Sequence, residues 1–166
     1  SKDLSIMSTY QGECKVADFV KDKIANSTQL DIDWTQYTTI DDFTMSEKQG
    51  KALEMFCKYN FMILAGYSGS GKTTSIRGII ELMESNGMTY TLLAPTGKAS
   101  RRITESVNRQ ASTIHRKALR DGEISTDVLI VDEMSMTDLP TFLMMLNVIE
   151  NPNIRVVLVG DPAQLM

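Results

Sequence analysis

The residues whose types and spacing most clearly predict chemistry lie between Gly66 and Thr73. The run Gly66-Tyr-Ser-Gly-Ser-Gly-Lys-Thr73 meets every position of the phosphate-binding loop pattern G-x-x-x-x-G-K-[ST]. An apolar run at residues 60–65 precedes it, and a helical pattern at residues 74–83 follows it. A chance match in a glycine-rich turn is the alternative, but the flanking strand and helix patterns argue against it. The sequence therefore predicts a nucleoside triphosphate site.

This loop is expected to hold the phosphates through backbone N–H groups and the positive end of the following helix. Lys72 is predicted to reach the β- and γ-phosphates, and the Thr73 hydroxyl to ligate Mg²⁺. The cofactors that the loop predicts are a nucleoside triphosphate and Mg²⁺. The loop residues predicted to bind nucleotide are Gly66, Ser68, Gly69, Ser70, Gly71, Lys72, Thr73 and Thr74.

Two carboxylates, Asp132 and Glu133, follow the aliphatic run at residues 128–131. A carboxylate at the end of a buried strand needs a cation or hydrogen bonds, because burying it bare is costly. Asp132 is therefore the predicted partner of the Mg²⁺ bound by Thr73, directly or through its ligands. Glu133 is predicted to orient and polarise the attacking water. Two surface acids that close a strand are the alternative.

Two glutamines have competing interpretations. Gln49 forms a capping box with Ser46, and the same amide could recognise an adenine edge; local evidence alone favours capping. Gln164 could contact a γ-phosphate or the attacking water, but local evidence alone favours a turn built on residues 160–162.

The basic residues are concentrated in one segment. Residues 98–120 contain seven Lys or Arg and one acid, Glu105, in a chain whose net charge is −4. Such segregation is typical of a local surface that contacts phosphates on an otherwise acidic body, and a solvated helix face is the alternative.

The composition argues against a membrane protein, a disulfide-rich protein and a zinc-binding protein. The chain is 42% hydrophobic and 23% charged, as in globular proteins, and no apolar stretch is long enough to cross a bilayer. The two cysteines, far apart in a chain with one histidine, predict neither a disulfide framework nor a zinc site. A reducing, cytoplasmic location is the natural expectation.

The elements that must position these residues alternate between strands and helices. Nearly all-aliphatic strands between amphipathic helices predict an α/β fold, with a mainly parallel sheet sandwiched by helices and the ligand at the carboxyl ends of the strands. Strands are predicted at 60–65, 89–94, 128–131 and 156–159, and helices at 46–59, 74–83, 97–107 and 139–149. Residues 1–44 are expected to be an N-terminal segment or linker, with a short helix at 13–25, and residues 45–166 the main domain.

Six segments, taken together and in this order, resemble the RecD-like group of superfamily 1 helicases. They are residues 45–53, the phosphate loop, residues 93–100 (Leu-Ala-Pro-Thr-Gly-Lys-Ala-Ser), residues 112–115 (Ser-Thr-Ile-His), residues 131–136 (Val-Asp-Glu-Met-Ser-Met) and residues 159–165 (Val-Gly-Asp-Pro-Ala-Gln-Leu). The resemblance implies a RecA-like P-loop NTPase fold and an ATP-dependent DNA helicase or translocase that moves 5′→3′.

The resemblance also implies roles for individual residues. It makes Gln49 the adenine-reading glutamine and Gln164 the γ-phosphate sensor, so that Lys72, Glu133 and Gln164 form the catalytic set. It favours single-stranded DNA as the partner of the basic segment. The residues it places on DNA are Pro95, Thr96, Gly97, Lys98, Arg101, Arg102, Thr113 and His115.

Two departures from the family pattern shape the expected activity. Only residues 116–129 separate the Ser-Thr-Ile-His segment from the next motif, which leaves room for at most a small hairpin around Asp121-Gly122 where relatives carry a strand-separating pin. The second RecA-like domain, with its arginine acting in trans, is expected elsewhere in a longer parent chain. This chain alone is therefore expected to bind ATP–Mg²⁺ and hydrolyse it poorly.

Two other functions stay open from the sequence. A stand-alone ATPase resembling the PhoH-like group shares a Gly-Asp-x-x-Gln ending, but residues 134–135 and 96–98 argue against it. A vestigial helicase domain that only binds single-stranded DNA would have no physical need for Lys72, Asp132 and Glu133.

Overall fold

The computed structural model describes residues 2–65 and 71–160, with side chains from residue 9 onward. Six α-helices and seven strands are described in this part of the chain. The helices are α1 (Lys2–Ala25), α2 (Glu47–Lys58), α3 (Lys72–Ser85), α4 (Gly97–Val107), α5 (Ile114–Arg116) and α6 (Leu139–Asn147). The strands are β1 (Thr39–Ile40), β2 (Phe43–Thr44), β3 (Phe61–Leu64), β4 (Tyr90–Ala94), β5 (Ser112–Thr113), β6 (Val128–Val131) and β7 (Arg155–Val159).

The main sheet has five strands in the order β3-β7-β6-β4-β5, and every described pairing in it is parallel. β6 and β7 are buried along their whole length. Such strands read as continuous aliphatic runs, because helices cover both faces of a parallel sheet. The predicted α/β fold is confirmed.

Two hydrophobic clusters divide the core between the two faces of the sheet. Side chains of β6 alternate between them, with Val128 and Ile130 in one cluster and Leu129 and Val131 in the other. The first cluster is filled mainly by α2, α3 and α4, and the second by α6 with residues of α1 packed against it. This layering holds the carboxyl ends of the strands in a fixed relation to one another.

The N-terminal residues pack on the domain. α1 begins at Lys2, well before the predicted helix, and crosses α6 so closely that a Cβ on Gly12 would lie 2.8 Å from a methyl group of Leu143. Residues 26–44 contain a 3-10 turn at Trp34–Tyr37 and the β1–β2 pair. Trp34 and Tyr37 pack against the first core cluster. The domain boundary predicted at residue 44 stays a prediction.

Two local predictions differ from the structure. β5 was not predicted, since a two-residue polar strand leaves no hydrophobic pattern to detect. The possible hairpin around Asp121-Gly122 is wrong, because residues 117–121 form a π-helical turn that Gly122 ends at φ 75°. None of the described helices is long and apolar enough to span a bilayer.

Candidate nucleotide and nucleic-acid site

The candidate site lies at one edge of the sheet, where the carboxyl ends of the parallel strands meet. Leu64 pairs with Val159 at the ends of β3 and β7, and Val131 pairs with Leu158 and Leu93. Thr113 pairs with Ala94. Five of the six predicted motifs begin at or directly follow one of these ends, so the fold brings together strand ends that are far apart in sequence. The sixth, residues 45–53, lies at the start of α2 instead.

The phosphate loop joins β3 to α3. Residues 66–70, which include predicted ligands Gly66, Ser68, Gly69 and Ser70, lie outside the described residues. Gly71 occupies the N-cap of α3 in the left-handed region, at φ 85°, and Lys72 is the first helical residue. Thr73 and Thr74 follow in the first turn, with Thr73 exposed. Their backbone N–H groups therefore lie at the positive end of a fourteen-residue helix.

Gln49 has two contacts that bear on its two interpretations. Its Oε1 accepts a hydrogen bond from the Ser46 N–H at 2.9 Å, and its own N–H donates to the Ser46 hydroxyl at 3.2 Å, which confirms the capping box. Its Nε2 also donates to the Gly71 carbonyl at 3.5 Å. A Cβ on Gly71 would lie 1.9 Å from that nitrogen. Capping therefore fixes Gln49 against the end of the phosphate loop.

Asp132 lies directly after β6, and its N–H donates to the Leu93 carbonyl at 2.8 Å. Burial raises the pKa of its carboxyl above the usual value, and the neighbouring Glu133 charge adds to the rise. A hydrogen bond from the Glu133 backbone and the charges of Lys72 and Arg102 act in the opposite direction. The charge of the phosphate-loop lysine therefore acts on the carboxylate predicted to hold Mg²⁺.

Glu133 has an unusual backbone, in the left-handed region at φ 54°. It precedes the 3-10 turn Met134–Met136. Gly160, at the end of β7, packs against the same turn, because a Cβ there would lie 3.3 Å from the Met134 nitrogen. The Glu133 side chain forms an ion pair with Arg102, at 3.5 Å between Oε1 and Nη1.

The helix α4 and the turn before it carry most of the residues predicted to contact DNA. Thr96 caps it by accepting the Ala99 N–H at 3.1 Å. Ala99, Ile103 and Val107 are buried, as predicted. The cations Lys98, Arg101 and Arg102 are exposed beside exposed Thr96 and half-buried Pro95 and Gly97.

Thr113 and His115 lie on the neighbouring segment. The Thr113 hydroxyl accepts the Arg116 N–H at 3.1 Å, so it caps the short α5. His115 is exposed. The pKa of the Asp138 carboxyl is lowered mainly by its hydrogen bond with Thr141, and His115 contributes to the lowering. The fold therefore places the DNA-assigned residues of both segments at the ends of paired strands β4 and β5.

Part of the basic segment has a structural role that the sequence did not indicate. Arg109 donates twice to the Glu84 carboxylate, at 2.9 and 2.7 Å, and joins the end of α3 to the loop after α4. This bond lowers the pKa of Glu84. The Tyr90 hydroxyl donates to the same carboxylate, and burial is the main cause that raises the pKa of Tyr90 to about 12. Lys117 pairs with Asp121.

Three further observations bear on the predicted site. Gln164 lies outside the described residues. No group of three or more His, Cys, Asp and Glu side chains that could hold a metal occurs among the residues the structure describes. Asp132 still fits a Mg²⁺ partner, because burial leaves its carboxylate poorly compensated and its chemistry is that of a hard oxygen donor.

A parallel sheet flanked by helices, with a lysine at the start of the helix after its first strand and a carboxylate after β6, defines a RecA-like P-loop NTPase. Residues 44–166 match the protein family described as AAA domain, and the chain belongs to that family.

Several similar proteins carry helicase names. The chain is 38% identical over 130 residues to the ATP-dependent RecD2 DNA helicase of Deinococcus radiodurans, covering 73% of this chain and 18% of that protein. It is 30% identical over 148 residues to the ATP-dependent DNA helicase dda of Enterobacteria phage T4, covering 76% and 33%. It is 28% identical over 198 positions to the RecBCD enzyme subunit RecD of Haemophilus influenzae, covering 94% and 31%.

These names confirm the predicted resemblance to RecD-like helicases. The chain spans at most about a third of the length of these three relatives.

Proposed function

We propose that this chain is the ATP-binding motor domain of an ATP-dependent DNA helicase or translocase that tracks single-stranded DNA in the 5′→3′ direction. One observation carries the proposal: the phosphate-loop lysine, Asp132, Glu133 and an exposed basic helix meet at one edge of the sheet. The names of the relatives support it. Recombination, repair, replication and conjugation are the processes such a motor serves.

In the proposed site, Lys72 binds the β- and γ-phosphates, while Thr73 and Asp132 hold Mg²⁺. The metal, when bound, neutralises phosphate charge. Glu133 orients the attacking water, and Gln164 senses the γ-phosphate. Gln49 reads the adenine edge, a role supported by its fixed position beside Gly71.

The phosphate cradle is proposed to consist of the loop and the start of α3. Gly66, Ser68, Gly69, Ser70 and Gly71 supply backbone N–H groups, and Thr74 extends them into the helix. The positive end of α3 supports this assignment, since Gly71 begins a long helix there.

Single-stranded DNA is proposed to cross the ends of β4 and β5. Lys98, Arg101 and Arg102 contact its phosphates, and Thr96, Thr113 and His115 line the same path. Pro95 and Gly97 complete the turn that begins α4. Support comes from the exposure of these cations and from the strand pairing that brings Ala94 beside Thr113.

A second RecA-like domain of the same parent chain is proposed to complete the ATP site with an arginine, since such arginines contribute about 10³ to 10⁵ in rate. Residues 117–121 form a helical turn and not a strand-separating pin. The proposal therefore assigns no duplex-splitting element to this segment. A cytoplasmic location is part of the proposal, supported by Cys14 and Cys57 being free thiols.

The test is ATP hydrolysis by the full-length parent protein, with and without single-stranded DNA, beside its Lys72→Ala variant. We expect DNA to stimulate turnover and Lys72→Ala to lose it. Stimulation by RNA alone would replace the proposal with an RNA-linked ATPase, and DNA binding without turnover would replace it with a non-catalytic module.

DNA contact by α4 is tested separately by a double substitution, Arg101→Ala with Arg102→Ala. We expect weaker, less salt-dependent binding of single-stranded DNA, because two phosphate contacts are lost. The matched control is Lys15→Ala with Lys21→Ala, which removes the same charge from exposed positions of α1. Equal affinities of the two double variants would remove α4 from the proposed DNA path.

A further inference from the structure

Arg102 occupies a position that serves two predicted sites at once. It lies on the exposed face of α4 with Lys98 and Arg101, and its side chain is 60% exposed. Its guanidinium also reaches back over the sheet edge to Glu133, whose side chain is 32% exposed. A single cation therefore faces both the proposed DNA path and the carboxylate proposed to orient the attacking water.

Glu133 is held in place from two directions. Its backbone is fixed in the left-handed region, a conformation that costs a non-glycine residue free energy and persists only where the surroundings impose it. Its carboxylate is drawn toward α4 by Arg102, the cation with which it forms an ion pair among the described residues. The Glu133 side chain can move without rearranging the turn that packs on Gly160, whereas the Glu133 backbone cannot.

The Arg102–Glu133 pair is suited to exchange. Exposed ion pairs contribute little free energy, so a competing anion can displace them. A nucleic-acid phosphate is a stronger partner for arginine than a single carboxylate at 3.5 Å, because it accepts bidentate hydrogen bonds and carries neighbouring phosphates with it.

We propose that Arg102 restrains Glu133 when DNA is absent, and that a phosphate of single-stranded DNA withdraws Arg102 and frees the Glu133 carboxylate to orient water. This contact would make hydrolysis depend on DNA, through two side chains on adjacent structural elements. The inference rests on the proposed function, because it assigns a regulator to that same site.

The test measures steady-state ATP turnover of the full-length parent at saturating ATP, without DNA and with saturating oligo(dT), for wild type and Arg102→Gln. We expect Arg102→Gln to raise DNA-free turnover by about twofold to fivefold, the range that loss of an exposed ion pair allows. The ratio of DNA-saturated to DNA-free turnover falls correspondingly. DNA-free turnover that is unchanged or lower in Arg102→Gln overturns the proposal.

Two control variants separate charge from disturbance of the fold. Arg102→Lys keeps the cation, so its DNA-free turnover should rise less than that of Arg102→Gln; an equal rise in the two variants contradicts the proposal. Lys21→Gln removes a cation from an exposed position of α1 and should leave it unchanged. Thermal melting of each variant checks that the fold is retained.

Salt supplies a second readout that a merely structural role of Arg102 would not affect. Because salt screens exposed pairs, the DNA-free turnover of wild type should approach that of Arg102→Gln as ionic strength rises. A turnover ratio that is independent of salt contradicts the proposal. Failure of the proposed function is distinguishable, since the wild-type parent would then show no DNA-stimulated turnover for any variant to change.

Discussion

The two ends of the sheet differ in how a charged side chain is compensated: Arg155 at the amino end is buried, and Asp132 at the carboxyl end is half-buried. At the amino end, Arg155 begins β7 with only 5% of its surface exposed, yet its guanidinium donates to the carbonyls of Phe56, Tyr59 and Thr28. At the carboxyl end, Asp132 follows β6 with its pKa raised by burial and with Glu133 beside it. Among the described residues, three hydrogen bonds compensate the Arg155 charge, whereas the Asp132 charge is only partly compensated.

This difference separates stability from function. Arg155 joins residue 28, the end of α2 and the sheet, so its contacts stabilise the packing of the N-terminal segment. The described residues offer Asp132 and Glu133 no comparable set of hydrogen bonds, and in the proposed site these two residues bind groups that come from outside. Partial burial of a carboxylate that is only partly compensated is a feature of sites that bind cations or shift protons.

The largest expected effect is on turnover at the carboxyl end. Glu133→Gln should lower ATP turnover of the parent protein by about 10² to 10⁴, the usual contribution of a group that acts on the proton of an attacking water. The free energy of unfolding should change by less than about 0.5 kcal/mol, as for other surface substitutions. Turnover assays and urea unfolding check both values; a stability loss that matches the activity loss would erase the contrast between the two ends.

At the amino end the effect should fall on stability alone. Arg155→Met leaves three carbonyls without their donor and should lower the free energy of unfolding by about 3 kcal/mol. Arg120→Met, at an exposed position, is the matched control and should change it by less than about 0.5 kcal/mol. Equal urea midpoints for the two variants would show that the Arg155 contacts contribute nothing.

Gln49 lies between these extremes, because it both caps a helix and contacts the phosphate loop. Ser46→Ala and Gln49→Ala should each lower the free energy of unfolding, by about 1 kcal/mol for the lost serine cap. Only Gln49→Ala should also reduce the preference for ATP over GTP, measured by titration with both nucleotides. An unchanged preference in Gln49→Ala would leave capping as its whole role.

The smallest effect concerns the pH dependence of stability at Asp132. Because its pKa is raised in the folded protein, the folded state binds a proton more readily than the unfolded state. The stabilisation this gives is present at low pH and is lost as pH rises from about 3.8, the usual value, through the raised pKa. Asp132→Asn should therefore be more stable than wild type at neutral pH, by a margin that shrinks toward pH 4. A margin independent of pH would contradict the burial of this carboxylate.

Much of the fold was predictable because its local patterns agree with its tertiary structure. The bounds of α4 and β6 match the prediction, since a helix with one apolar face and an all-aliphatic strand leave few alternatives. β5 could not be predicted, because two polar residues form a strand only when Leu93 and Ala94 offer an edge to pair with. The position of β7 between β3 and β6 depends on packing across the whole sheet.

The sequence predicts the candidate site at the level of motifs and not of contacts. Spacing predicts Lys72, Asp132 and Glu133 as site residues, because each follows a strand end, and their roles stay predictions. The pairing of Arg102 with Glu133 links residues far apart in sequence, so no local pattern reports it. One sequence signal could have indicated the contacts of Arg155. It is the single cation at the start of an aliphatic strand, because a cation that is buried there requires hydrogen-bond partners.

The most direct test of the account is whether this chain binds Mg²⁺–ATP through the carboxyl edge of its sheet. The measurement is a calorimetric titration of the chain and its Lys72→Ala and Arg155→Lys variants with ATP, with and without Mg²⁺. We expect saturable, Mg²⁺-dependent binding that weakens at least about tenfold in Lys72→Ala, the loss of one charge-assisted contact, and is retained in Arg155→Lys. Equal affinity in wild type and Lys72→Ala would contradict the assignment of this edge as the nucleotide site.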